Sequence, residues 1–168
     1  MSWETPRTWV AGELVTATLL NTHLRNNLNA LKAPPSAHVE PVKATYYTTS
    51  STVFVDVDGG LLSLSLYTNG GDVMVHFSGT LAHSAATGRF FLDVELDGER
   101  IGGDDGLLVG EGIPVQPMSF THLVTGLPAG EHDFRLQWKT TAAYAGLFAA
   151  DGATNANVHP QFWVREVS

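Results

Sequence analysis

The sequence contains no cysteine. Disulfides, thiolate metal sites and cysteine nucleophiles are excluded together. Positive charge is scarce as well: 9 Lys and Arg stand against 17 Asp and Glu, for a net charge of −8, and no basic run occurs. Neither nucleic acid nor an anionic membrane surface is therefore an expected partner. No apolar run approaches the roughly 20 residues of a membrane-spanning helix. The opening "MSWETPRTWV" lacks the basic start and apolar centre of a signal peptide. The expectation is a protein made soluble in the cytoplasm, wherever it later acts.

What is present suits a turn-rich β protein: 17 glycines, and charged residues at only 15%. With 168 residues, a chain can bury about 70% of its unfolded surface and needs no covalent staples. Residues 1–15 carry Trp3 and Trp9 around Pro6 and Gly12. This reads as an extended arm that docks on something, because disordered tails are poor in aromatic residues.

Thr16 fits an N-cap, residues 17–31 read as helix, and Pro34-Pro35 stops it. Ala17, Leu24, Leu28 and Leu31 fit the core positions of two heptads, with Asn21 at another and Leu20 flanking. A helix of about 15 residues is marginal alone in water, so its leucine stripe must be covered. Two readings stay open: the helix folds back on its own β domain, or it meets copies of itself about a symmetry axis, with Asn21 setting the register.

After the linker "KAPPSAHVEP" the pattern changes to period two. Val53, Val55 and Val57 alternate with polar or outward residues, as do Leu62, Leu64 and Leu66, then Val73, Val75 and Phe77, then Phe90, Leu92, Val94 and Leu96. Met118, Phe120, His122 and Val124 share a face, Phe134, Leu136 and Trp138 share another, and "QFWVREV" makes a last strand. Turns at "DGG", "NGG", "DG" and "GLPAGE" separate these runs. The fold class expected is all-β, an antiparallel β-sandwich or jelly roll preceded by an arm and one short helix, with domains at 1–35 and 36–168. Phe54, Phe91, Tyr144, Phe148 and Trp163 exceed what one inner face needs and are candidate subunit-interface residues. The stretch "TTAAYAGLFAADGATNA" is small and apolar without clean alternation.

Chemistry-bearing motifs are missing. There is no G-x-S-x-G, phosphate-binding glycine loop, H-E-x-x-H or dinucleotide fingerprint. His76 with His83, and His122 with His132, lack any short metal-ligand spacing. The acidic turns "DVDGG" and "GGDDG" offer oxygen atoms of the kind calcium takes, without the twelve-residue loop layout; Asp before Gly is also ordinary turn chemistry. Asp93 and Glu95 lie about 7 Å apart along one strand face, a spacing compatible with glycoside hydrolysis, although alternating acids are far more common on a solvated face. No catalytic residue, metal or cofactor is expected, and the protein is not expected to be an enzyme. Trp163 and Tyr144 could stack on a sugar, or simply pack.

The N-terminal segment carries Trp9, Gly12, Glu13, Val15, Thr16, Ala17, Leu20, Asn21, His23, Arg25, Asn26 and Asn27. In that order they resemble a module at the N-termini of phage and prophage structural proteins, where it precedes a β-rich domain. Gly130, His132, Phe134, Leu136 and Trp138, with the terminal "FWVREVS", resemble a strand of the C1q/TNF-like jelly rolls of phage tail or fibre proteins. The resemblance implies a homotrimer within the virion, contacting other virion proteins, with the N-terminal segment as attachment or trimerising piece. No extended shaft is present, which favours a compact knob such as a head decoration, collar or tail-tip protein over a full tail fibre. A host surface glycan is a candidate partner of the displayed surface. The alternative is a stand-alone carbohydrate- or ligand-binding β-sandwich module.

Overall fold

The computed structural model describes residues 4–42, 46–112, 114–149 and 158–167. The chain divides into two compact units, Met1–Pro35 and Ser36–Ser168.

The first unit is an arm followed by one helix in three segments: α-helical at Ala17–Leu20 (α1), π-helical at Asn21–Asn26, and α-helical at Asn27–Lys32 (α2). Thr16 caps it from an extended conformation, its side chain accepting the Leu19 N–H at 3.3 Å. The π-helical residues "NTHLRN" are mostly poor helix formers, so the loosened segment falls where intrinsic propensity is lowest.

The second unit is an antiparallel β-sandwich of two six-stranded sheets. The first sheet contains β1 (Ser36–Val39), β12 (Gln161–Glu166), β5 (Gly71–His83) and β9 (Gln116–Leu127), side by side in that order. β11 (Ala145–Phe148) and β2 (Tyr47–Thr49) continue it beyond β12, along the far half of β5. The second sheet runs β4 (Ser63–Thr68), β10 (Gly130–Thr140), β6 (Arg89–Leu96) and β8 (Leu108–Glu111), with β3 (Val55–Asp56) and β7 (Glu99–Arg100) extending its ends. Two packed antiparallel sheets between which the chain crosses repeatedly make this a jelly roll.

The core lies between the sheets. Leu62, Val73, Val75, Phe77, Leu81, Phe90, Leu92, Val94, Phe134, Leu136, Phe162 and Val164 are all fully buried, on the inward side of each alternation. The hairpin turn at Asp97-Gly98 has φ of +52° and +92°, the pair of positive values that a two-residue type I′ connection requires.

Three sequence expectations need revision. Val53, Val55 and Val57 do not form one half-buried strand: only Val55–Asp56 pairs, and Val53 is 67% exposed. Ser51 breaks the run, its Oγ donating to the Val53 carbonyl and its N–H donating to Thr49 Oγ1. The "KAPPSAHVEP" linker contains β1, whose Ala37 and Val39 pack against the core. Within 140–156, Ala145, Gly146 and Leu147 of β11 are buried; residues 150–156 lie outside the described part.

Candidate functional site

The arm is held to the helix by side chains rather than by a core. Asn27 donates from Nδ2 to the Glu4 carbonyl at 2.8 Å and accepts the Glu4 N–H on Oδ1 at 2.9 Å. Its amide thus mimics a strand partner. Arg7 pairs with Glu13 and lies 4.9 Å from the centre of the Trp9 ring, and Trp9 meets His23 edge to face at 6.5 Å. Gly12, at φ +83°, occupies the turn closed by the Glu13 N–H on the Val10 carbonyl; open space surrounds it, so backbone conformation is what glycine supplies there. Trp9 is therefore part of the clasp. Trp3 lies outside the described residues.

None of this covers the leucines. Leu20, Leu24, Leu28 and Leu31 are 41%, 48%, 64% and 66% exposed, and Leu14 and Val15 are exposed too. Ala17 and Asn21 are also open to solvent. Asn27 is the only buried residue among those described in this unit. His23 keeps a buried Nδ1 without a hydrogen-bond partner. The unit is an apolar stripe on a polar clasp.

The five surplus aromatics do not share a surface. Phe54 and Phe91 lie on the outside of the second sheet, where Arg100 sits 4.3 Å from the Phe54 ring centre and Lys139 sits 4.8 Å from both. Phe91 is only 7% exposed. Trp163 and Phe148 belong to the first sheet, where Phe148 stacks on Tyr46 at 5.7 Å and Trp163 on His76 at 4.9 Å. Tyr144 is an exposed loop residue just before β11.

The outside of the second sheet is closed on itself. Asp93, fully buried, accepts from Arg100 at 2.8 Å, from the Gly102 N–H at 2.9 Å and from the Val94 N–H at 2.8 Å. Glu95 accepts from Arg135 at 3.3 Å and from Gln137 at 2.8 Å, and Gln137 also donates to Asp56 at 2.9 Å. Lys139 reaches the Asp104 carbonyl at 2.8 Å and Asp105 at 3.1 Å. Asp93 thus anchors the segment after β6, and Glu95 ties β6 to β10. Neither is placed as a free acid or base.

The outside of the first sheet differs. Pairing sets His38, Trp163, His76 and Thr121 in one row across β1, β12, β5 and β9, with Ser36, Arg165, Met74 and Leu123 in the next row. Thr121 Oγ1 holds His76 Nδ1 at 2.9 Å, and His76 carries the Trp163 ring. Burial lowers the His76 pKa, so this imidazole is neutral near pH 7 and stacks without a charge to solvate. Along β1 and β12 a shallow groove is lined by His38, Glu40, Gln161, Trp163 and Arg165. No hydrogen bond or ion pair among the described residues engages the side chains of His38, Glu40, Gln161 or Arg165.

The remaining candidates are structural. His83 is buried between Thr140 Oγ1, at 2.8 Å, and Ala85. His132 Nδ1 meets Asp97 at 2.7 Å and its Nε2 meets the Pro128 carbonyl at 2.9 Å. Asp58 closes its own turn by accepting the N–H groups of Gly60 and Leu61. With the charge and hydrogen bond of Asp58 added to burial, the Tyr47 pKa is pushed up to about 12. Among the described residues no three His, Asp or Glu side chains converge to hold a metal. No described helix is long and apolar enough to cross a membrane.

No protein-family model matches the chain, and no curated protein sequence matches it. Similar solved structures include Eiger TNF from S. frugiperda, at 16% identity and a TM-score of 0.43 over 81% of this chain and 95% of that one. They also include infectious bursal disease virus Gx strain, at 12% identity and a TM-score of 0.38, and the VP2 subviral particle of infectious bursal disease virus, at 11% and 0.33. This chain spans 37% and 38% of those two viral chains. At these values they add nothing to the jelly roll already read from the strand order.

Proposed function

We propose that the protein is a non-enzymatic structural component of a phage virion, a homotrimer. In this reading the N-terminal unit assembles and anchors it, and the jelly roll is displayed as a knob in a head-decoration, collar or tail-tip position. The observation that carries the proposal is the first unit itself. Six large apolar residues from Leu14 to Leu31 are exposed. Each leucine moved out of water contributes about 1.5–3 kcal/mol, and so short a helix needs that contribution to persist. A second and third copy of the same stripe would supply it, and would bring a neighbour to the unpartnered His23 Nδ1. Three knobs on one axis turn a weak surface contact into an effectively strong one. The alternative, a stand-alone binding module, needs no such helix.

The test is molar mass by light scattering, for the full chain and for a fragment starting at Ser36. A full-length mass of three chains that falls to one on truncation is the expected result. A trimeric fragment would transfer assembly to the jelly roll. A monomeric full chain would overturn the reading in favour of the isolated module.

A further inference from the structure

We propose that the groove along β1 and β12 is a saccharide subsite, with Trp163 as its platform and Glu40, Gln161 and Arg165 as its polar clasp. The inference rests on the display reading above and names the chemistry of what is displayed.

The contrast between the two outer faces carries it. On the second sheet Phe54 and Phe91 are roofed by cations and the acids Asp93 and Glu95 are consumed by Arg100, Arg135 and Gln137. That face has little hydrogen-bonding capacity left for a ligand. On the first sheet the capacity is intact: a carboxylate, an amide and a guanidinium border one indole in a shared groove, with none of the three engaged among the described residues. Planar groups of these kinds offer paired acceptors and donors, which suit adjacent hydroxyl groups. The indole offers a flat apolar surface for the C–H face of a pyranose.

The platform is also preorganised. Trp163 stacks on His76, and His76 is fixed by Thr121 on the next strand. Three strands thus hold one ring, and a ligand need not order it on arrival. His38, directly opposite Trp163 on β1, closes the far side of the groove as a further donor or acceptor. A charged ligand is less well suited, because Glu40 and Arg165 present opposite signs within the same groove.

Saturation-transfer NMR on the full chain tests this with methyl glycosides of glucose, galactose and N-acetylglucosamine at millimolar concentration. At least one is expected to receive saturation at its ring C–H protons. Trp163→Ala should abolish the transfer, Glu40→Gln and Arg165→Ala should each weaken it at least about threefold, and Tyr144→Ala should leave it unchanged. Both polar variants alter exposed side chains and should fold as the parent does. No transfer from any of the three sugars, transfer that survives Trp163→Ala, or wild-type transfer in both polar variants would overturn the subsite. Light scattering on the same samples separates the two readings. If Trp163→Ala lowers the mass and the parent binds no sugar, the face is a subunit contact: the subsite falls while assembly stands.

Discussion

His132 shows at one residue how the sandwich depends on pH. Both of its ring nitrogens face oxygen acceptors, Asp97 on one side and the Pro128 carbonyl on the other. Only an imidazolium donates to both. Burial alone would lower the pKa, but the hydrogen bond to Asp97, the Pro128 carbonyl and the Asp97 charge outweigh it and raise it from 6.5. For Asp97, burial would raise the value, and the hydrogen bonds from His132 and the Asp133 N–H, with the His132 charge, lower it from 3.8. The signs follow from linkage. The raised histidine contributes stability that is complete below pH 6.5 and fades as pH rises through its folded value. The lowered aspartate contributes stability that is present above pH 3.8 and fades as pH falls through its own. Denaturant unfolding should therefore show His132→Gln losing most relative to the parent between these limits, with the gap narrowing in alkali. A gap that widens with pH would contradict the assignment. Gly88 makes a second residue-scale case. A Cβ there would lie 1.7 Å from the His83 ring, and that ring is pinned by Thr140 and Ala85. Because the ring cannot swing aside, Gly88→Ala should cost about 1–3 kcal/mol, measurable as a lower urea midpoint at unchanged slope.

At the scale of elements, the arm and helix are joined by the Asn27 hydrogen bonds and the Trp9–His23 ring contact. Asn27→Ala should strengthen the helix by intrinsic propensity while removing both bonds to Glu4, a local loss of about 1–2 kcal/mol. Circular dichroism should hold steady or rise slightly, and the Glu4 amide should lose its protection from hydrogen exchange. If that amide stays protected, the clasp is held by Trp9 and His23 instead. The same elements show what could be read from the chain beforehand. Strands β4, β5, β6 and β10 were legible because burial on one face writes a period of two, and the helix was legible through its Thr16 cap and double proline. β1 was not, since its four residues, set between Pro35 and Glu40-Pro41, carry too little alternation to stand out. Nor was the second sheet's roof: Phe54 and Phe91 read as surplus because the cations over them come from Arg100 and Lys139, distant in sequence or on another strand. Asn27 stood inside the recognisable N-terminal pattern, but nothing in periodicity marked it as a clasp. The groove beside Trp163 needs the register of β1 on β12 on β5, which no single strand encodes.

For the whole molecule, the division of labour follows from where apolar surface is spent. The jelly roll closes its core and pairs the acids Asp93 and Glu95 of one outer face within itself. The N-terminal unit leaves its stripe in water, and its folding is therefore coupled to concentration if copies cover it. Hydrogen exchange resolves that coupling by region. Amides of β6 and β10, at the centre of the second sheet, should exchange at rates independent of protein concentration. Amides from Leu20 to Leu31 should slow as concentration rises through the association range, then level off. Replacing Leu24 and Leu28 with glutamate should abolish the slowing without altering β6 or β10, since both side chains are exposed in the single chain. A helix that exchanges at one rate at every concentration would mean that the stripe is covered by something other than another copy, and the anchoring role would then outweigh the assembling one.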